Sequence, residues 1–246
     1  MHLPAADRIG EILAEGVSLH PLEPGLFSVY PDAEDRSFSY DKGFGTLYDR
    51  VACNRLYNRL VWGYSIDEYP RMCREALGAA PGEWMLDAGC GALAFTATVY
   101  AAEASQSVIF LDRSLALLKK AKRRLAKKAG RVPDDVVFLH ADALHLPLAP
   151  GTVGTVFCLN LLHVVEDLQG ALTGLFGAAK PGARLFFTTL VPSGRLADRY
   201  LKIWAEAGAL FERTATELQA AFDRLDAAVD CRRVGNLALF RCRKRA

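Results

Sequence analysis

A chain of 246 residues, 51% hydrophobic and 24% charged, is long enough to close one well-buried domain with elaborations, and its composition is that of an ordinary globular protein. Lys and Arg number 30 against 28 for Asp and Glu, so no global field recruits nucleic acid or an anionic membrane, and any basic partner site has to be local. The six cysteines form no CxxC pair and no Cys/His group has zinc spacing, which predicts free thiols and no metal site.

The chain begins MHLPAADRIGEILAEG, with acids where a signal peptide would have a basic and then an apolar region, so a cytoplasmic location is expected. Residues 1–80 read as an N-terminal helical cap. It has a helix-like start, a polar and aromatic stretch from Pro21 to Gly45, and then LYDRVACNRLYNRLVWGYSIDEYPRMCREAL, two helices broken near Gly63.

Residues 81–246 read as the core. Short apolar runs rich in β-branched and aromatic residues, EWMLDAG (83–89), SVIFLDR (107–113), VVFLHAD (136–142), TVFCLNL (155–161) and ARLFFTTL (183–190), predict strands buried on both faces. Between them, Ser114 caps a helix with apolar positions Leu115, Leu118, Ala121 and Leu125 that Gly130 ends, and Leu168, Leu172, Leu175, Phe176 and Ala179 form a second stripe before KPG at 180–182. The longest nearly apolar stretch, VGTVFCLNLLHVV, has 13 residues and contains Asn160 and His163, too short and polar to span a bilayer. A helical insertion is expected at about 192–212, where Leu196, Tyr200, Ile203, Trp204 and Ala207 recur at helical spacing. TATE (214–217) is a capping box, and two strand-like runs around Gly235 and Asn236 close the chain as a hairpin. The pattern predicts an α/β fold, a Rossmann-like, doubly wound, mostly parallel seven-stranded sheet with an antiparallel last strand.

LDAGCGALAF (86–95) carries the chemistry. Gly89 and Gly91 let the backbone turn tightly, as a dinucleotide-binding loop would, but Asp87 precedes them and repels a pyrophosphate. Asp112 ends the second strand, where either a nicotinamide enzyme or another adenosine-binding protein would hold a ribose; Asp142 ends the third, placed for an adenine amino group. Carboxylates at three successive strand ends favour an adenosine that carries positive charge and no phosphate, which describes S-adenosylmethionine.

LDAGCGALAF resembles the first motif of the class I S-adenosylmethionine-dependent methyltransferases, FLDRS their second-strand acid, HADALHLPLAPGTVGTVFCLNLLHVVED their third and fourth strands, and AAKPGARLFFTTL the entry to the fifth. The resemblance implies that Ala88, Gly89 and Gly91 cradle the methionine part of the cofactor and that Asp87 lies near its ammonium group or a bridging water. It places Asp112 on the ribose, Arg113 and Ser114 beside the adenine, Asp142 and the amide of Ala143 on its edge, and Asn160 and Leu161 near the transferred methyl. His163 is the candidate base, although histidine there is frequently a packing residue; His145 reads as a surface group. Two departures stand out: Leu93 replaces the motif's usual third glycine and puts bulk near the methionine tail, and Gly154 replaces the acid before the fourth strand.

LYDRVACNRLYNRLVWG resembles the cap of small-molecule methyltransferases, including C-methyltransferases of quinone biosynthesis. Tyr48, Tyr57 and Trp62 there, with Tyr200 and Trp204 of the insertion and His163, are candidates for the acceptor pocket, or else they pack cap against sheet. The expected acceptor is a small apolar or aromatic molecule. The basic run KKAKRRLAKKAGR (119–131) reads as a solvated outer face, and NLLH after the fourth strand lacks the pattern of amino-methylating RNA enzymes, so nucleic acid is not an expected partner. A non-catalytic cofactor-binding protein of the same fold and an NAD-dependent oxidoreductase remain as alternatives.

Overall fold

The computed structural model describes residues 4–33, 55–104 and 106–245; Tyr48 lies outside them. The chain opens with a helical turn, α1 (Ala5–Arg8), continued by a tighter turn at Ile9–Ile12, and a hairpin of β1 (His20–Glu23) and β2 (Leu26–Ser28). Helix α2 (Arg55–Tyr57) runs on as a wider turn through Asn58–Trp62 and stops at Gly63, whose φ of 72° ends it before α3 (Glu68–Leu77). Then come β3 (Met85–Ala88), α4 (Ala97–Glu103), β4 (Val108–Asp112), α5 (Leu115–Ala129), β5 (Val136–His140), β6 (Val153–Leu159), α6 (Leu168–Ala178) and β7 (Ala179–Leu190). The chain ends with α7 (Ala197–Glu206), α8 (Ala215–Phe222), β8 (Ala227–Val234) and β9 (Leu237–Lys244).

The local signals act as chemistry requires. Ser114 Oγ accepts from the amide of Leu117 at 3.2 Å and Gly130 ends α5 at φ 83°. Thr214 and Glu217 form the reciprocal capping box that starts α8. Gly235 needs its missing side chain, because a Cβ there would sit 2.3 Å from the carbonyl oxygen of Trp62.

All nine strands form one sheet in the order β1-β2-β5-β4-β3-β6-β7-β9-β8. Neighbours from β2 to β7 are parallel, whereas β1 is antiparallel to β2 and β9 is antiparallel to both β7 and β8. The expected seven strands are β3 to β9, with the last antiparallel. The other two come from the segment read as helical: Leu26, Phe27 and Ser28 pair with Phe138, Leu139 and His140 and cover what would otherwise be an open edge of β5.

Strand residues alternate between two apolar layers. Leu86, Ala88, Ile109, Leu111, Val137 and Leu139 pack with α1, α6 and α8. Met85, Val108, Phe110, Val136 and Phe138 pack with α3, α4, α5 and α7. Each fully buried Phe or Leu removes apolar surface worth about 1.5–3 kcal/mol, so the middle of the sheet is the rigid platform. Gly154 belongs to this packing: a Cβ there would meet the Cβ of Glu83 at 2.6 Å, which explains why no larger residue stands at that position. No helix among the described residues is long and apolar enough to cross a membrane.

Candidate functional site

The C-terminal ends of β3, β4, β5 and β6 converge on the glycine loop, the place where open α/β sheets bind ligands. Alternation along β3 sends Asp87 to the side opposite Leu86 and Ala88, beneath α4. There it is 2% exposed and accepts a hydrogen bond from the hydroxyl of Tyr100 at 2.8 Å. Burial, with a smaller push from Asp112, raises its carboxyl to about 7, against the lowering effect of the Tyr100 hydroxyl.

The glycine loop is turned by left-handed residues Gly89 (φ 70°), Gly91 (φ 55°) and Leu93 (φ 53°). Four of its amides are already engaged. Gly89 and Cys90 both donate to the carbonyl of Leu111 (2.8 and 3.0 Å), Gly91 donates to Asp112 Oδ2 (2.8 Å), and Leu93 donates to the carbonyl of Cys90 (3.2 Å). A pyrophosphate approaching these groups meets spent donors and two carboxylates, so the loop has the opposite polarity to a dinucleotide turn. Arg124, from the basic run, donates to the carbonyl of Ala92 at 2.5 Å, and Lys122 pairs with Glu23 at 2.8 Å.

Leu93 does not crowd the loop. Its side chain is 1% exposed and belongs to the apolar layer of Tyr69, Met72 and Tyr100. Leu93→Gly should release the left-handed strain of a non-glycine residue, about 1–2 kcal/mol, but lose a buried leucine worth roughly 2–5 kcal/mol. Chemical denaturation should therefore show a net loss of about 1–3 kcal/mol, and a gain in stability would contradict this packing role.

Asp112 is 8% exposed and spans two turns, with Oδ2 on Gly91 and Oδ1 accepting from the amide of Ser114 at 2.8 Å. Asp142 is half-buried, with Oδ1 held by the amide of Leu144 at 2.9 Å, and Ala143 beside it is buried. Arg113 is exposed and its carbonyl oxygen meets Nε2 of the buried His140 at 3.0 Å. Leu161 leans over the loop, its side chain 3.0 Å from where a Cβ of Gly89 would be. His145 is exposed.

Asn160 has φ 55°, a left-handed conformation that Asn tolerates. Its Nδ2 donates to the hydroxyl of Tyr69 at 2.9 Å, its Oδ1 accepts from Thr188 Oγ1 at 3.1 Å, and Tyr69 continues to Tyr64 at 3.1 Å. Tyr69 also stacks on Phe95 (ring centroids 4.6 Å apart), and burial pushes its phenol up to about 12, so it stays neutral. His163 is 5% exposed; Nδ1 accepts from the amide of Leu190 at 3.3 Å and faces Thr189 Oγ1 at 3.0 Å. Burial, and secondarily Arg213, lowers His163 to about 4, so its ring is neutral at pH 7. Arg213 clasps the loop after β6 through the carbonyls of Leu162, Val165 and Glu166 at 2.6–2.8 Å.

Of the pocket candidates, Trp62 is 5% exposed and stacks on half-buried Trp204 with centroids 5.9 Å apart, which joins the α2 segment to α7. Tyr57 is half-buried. Tyr200 stands 43% exposed, because α7 turns Ala197 and Leu201 to the sheet and presents Leu196, Tyr200 and Ile203 outward. Sequence reasoning missed Tyr100, Tyr69 and Arg213. A polar-tipped Tyr100 on the inward face of α4, after the glycine loop, was the available signal for the first; the other two act across long separations.

Among the described residues no cluster of His, Cys, Asp and Glu is arranged to hold a metal. Residues 86–187 match the family described as Methyltransferase domain. The demethylmenaquinone methyltransferase of Renibacterium salmoninarum is 33% identical over 115 residues, 47% of this chain and 44% of that protein. The malonyl-acyl-carrier-protein O-methyltransferase of Hamiltonella defensa is 31% identical over 122 residues, 49% and 43% respectively. The chain spans less than half the length of these two relatives. Among solved structures, a geranyl diphosphate methyltransferase in complex with SAM superposes with a TM-score of 0.62 at 17% identity, over 84% of this chain and 93% of that one. The 4+2 cyclase SpnF superposes equally well, with a TM-score of 0.62 at 17% identity over 82% and 96%. At such identities these two likenesses concern the fold.

Proposed function

We propose that this chain, whose residues 86–187 are a methyltransferase domain in a class I S-adenosylmethionine-dependent fold, transfers a methyl group from that cofactor to a small apolar or aromatic acceptor. One pattern supports the reading: carboxylates at three neighbouring strand ends, Asp87, Asp112 and Asp142, with a glycine loop of which four amides are already engaged, suit a cationic, phosphate-free adenosine. Asp87 would face the ammonium group, Asp112 the ribose hydroxyls and Asp142 with the Ala143 amide the adenine. Arg113 and Ser114 would flank the base, and the backbone at Ala88, Gly89 and Gly91 would line the methionine part. The cofactor supplies a methyl on a sulfonium that leaves as a neutral thioether.

The protein's share is position. Asn160 and Leu161, at the end of β6, would bound the methyl, with Asn160 held by Tyr69 and Thr188 so that this wall does not shift. Displacement at carbon by an aligned nucleophile draws much of its acceleration from holding the partners in line, so no dedicated base is assigned. Neutral His163, with Nδ1 engaged, would orient the loop after β6 more than move a proton. The acceptor would sit under residues of the N-terminal 80 and the 192–212 insertion, near Tyr57, Trp62 and Trp204, whereas Tyr200 faces away from it. Relatives named for demethylmenaquinone, and a fold neighbour named for geranyl diphosphate, support a quinone-like ring or an isoprenoid as the first acceptors to try. The described thiols, Cys73, Cys90, Cys158, Cys231 and Cys242, are free, in keeping with a cytoplasmic location.

A cyclase on the same fold keeps a second reading in view, a cofactor-binding protein that transfers no methyl. Incubation with S-adenosylmethionine and a panel of quinols, isoprenoids and phenols decides: S-adenosylhomocysteine should accumulate with an apolar acceptor. Cofactor binding with no turnover on any member favours the second reading.

A further inference from the structure

The exposed apolar side chains of this protein are concentrated. Among the described residues, the large hydrophobics open to solvent are Leu56, Leu60, Leu196, Tyr200, Ile203 and Phe211; all but Phe211 lie on the α2 segment or on α7 with its preceding residue. Leu60 is 69% exposed and Leu196 71%. The spacings, four residues on the first helix and four then three on the second, make one stripe on each. The Trp62–Trp204 stack clasps the two helices together.

The rim of these stripes is cationic. Arg59, Arg195, Arg199 and Lys202 are exposed, and Arg59, Arg199 and Lys202 form no ion pair among the described residues. Asp198, the acid within α7 nearest them, is turned inward: it accepts from the amides of Ser193 and Gly194 and from the side chain of Asn236. Arg55 is paired with Asp67 at the outer end of α2, and Glu206 stands at the far end of α7.

We propose that this face docks on an anionic lipid surface. Aliphatic and aromatic side chains that project from two helices enter the acyl boundary, while the Arg and Lys beside them meet headgroup phosphates. The sign of the rim decides the partner, since a zwitterionic surface offers these cations no net attraction. Helix α7 follows β7 at the same end of the sheet as the glycine loop, so docking turns the ligand-binding end toward the membrane. Delivery of a lipid-borne acceptor to that end rests on the proposed methyl transfer; the docking does not.

Co-sedimentation of the full chain with vesicles of phosphatidylcholine plus phosphatidylglycerol, and of phosphatidylcholine alone, tests this at low and high salt. Binding should favour the acidic vesicles by about tenfold or more and weaken with salt. The double variant Leu196→Glu/Ile203→Glu, at surface positions that leave the core intact, should lower binding at least about tenfold with an unchanged thermal midpoint. Arg199→Glu/Lys202→Glu should remove the preference for acidic lipid, at roughly fivefold per cation. No binding to acidic vesicles at low salt would overturn the proposal, as would undiminished binding of Leu196→Glu/Ile203→Glu. A dimer in solution that this double variant dissociates, with no vesicle binding, would assign the face to a second copy instead. Vesicle binding by a protein that forms no S-adenosylhomocysteine with any acceptor upholds the docking and counts only against the activity.

Discussion

Asp112→Ala is expected to weaken binding of S-adenosylmethionine and S-adenosylhomocysteine alike, by at least about tenfold and toward a hundredfold, since two hydrogen bonds to a charged group are lost. The equal effect on both ligands is the diagnostic part, because the ribose is common to them. The loss has a second origin. Asp112 holds the amides of Gly91 and Ser114, so its removal also loosens the glycine loop and the start of α5. Asp112→Asn keeps one acceptor oxygen and should fall between Ala and the parent protein. Titration calorimetry reads all three, and unchanged affinity in folded Asp112→Ala would rule out the ribose contact.

The pH dependence of Asp87 is the second large effect. Its carboxyl stands at about 7 in the ligand-free fold against 3.8 as the ordinary value, so the folded protein prefers it protonated. A raised carboxyl contributes stability that is full below about pH 4 and is lost as the pH rises through 7. Asp87→Asn should therefore stabilise the ligand-free protein by roughly 2–4 kcal/mol at pH 8 and have almost no effect at pH 4. Binding runs the other way. A ligand ammonium facing Asp87 favours the ionised form, so cofactor affinity should rise with pH, approaching tenfold per unit below 7, and level off above it. 5′-Methylthioadenosine, which keeps the adenine but lacks the α-ammonium of the methionine part, should show no such rise; an identical slope for both ligands would show that Asp87 does not face the ammonium.

Much of this molecule is legible in its sequence because several local signals agree. The runs around Val108–Asp112 and Val136–His140 are apolar on both faces and form the buried parallel strands β4 and β5. Ser114 and Gly130 mark the two ends of a helix by residue type alone, since a capping hydroxyl and a left-handed glycine work within one turn. The hairpin β1–β2 is illegible for the converse reason. Strands of four and three residues, with Pro21 in the first, carry too little periodicity to be told from loop, and only pairing with β5 makes them strands. On α7 two faces are apolar at helical spacing, and the pattern favours Leu196, Tyr200 and Ile203 where packing chooses Ala197 and Leu201.

The site divides in the same way. Asp87, Asp112 and Asp142 are readable from their places at strand ends, but the engagement of the loop amides is not, because glycine spacing describes the turn and says nothing of what its donors meet. Leu93 shows the limit most clearly. Its bulk suggests a crowded cofactor tail, whereas a left-handed backbone carries the side chain into the core and leaves the turn a glycine-like shape. The Tyr69–Asn160 contact joins residues 91 positions apart and depends wholly on the packing of α3 against the sheet.

Calorimetric titration of the protein at pH 8 with S-adenosylmethionine and, separately, with NAD reads out the polarity of the glycine loop. Saturable binding of S-adenosylmethionine with no response to NAD is the result expected from carboxylates at three neighbouring strand ends and a loop with four engaged amides. Tight binding of NAD, with no response to S-adenosylmethionine or S-adenosylhomocysteine, would contradict it.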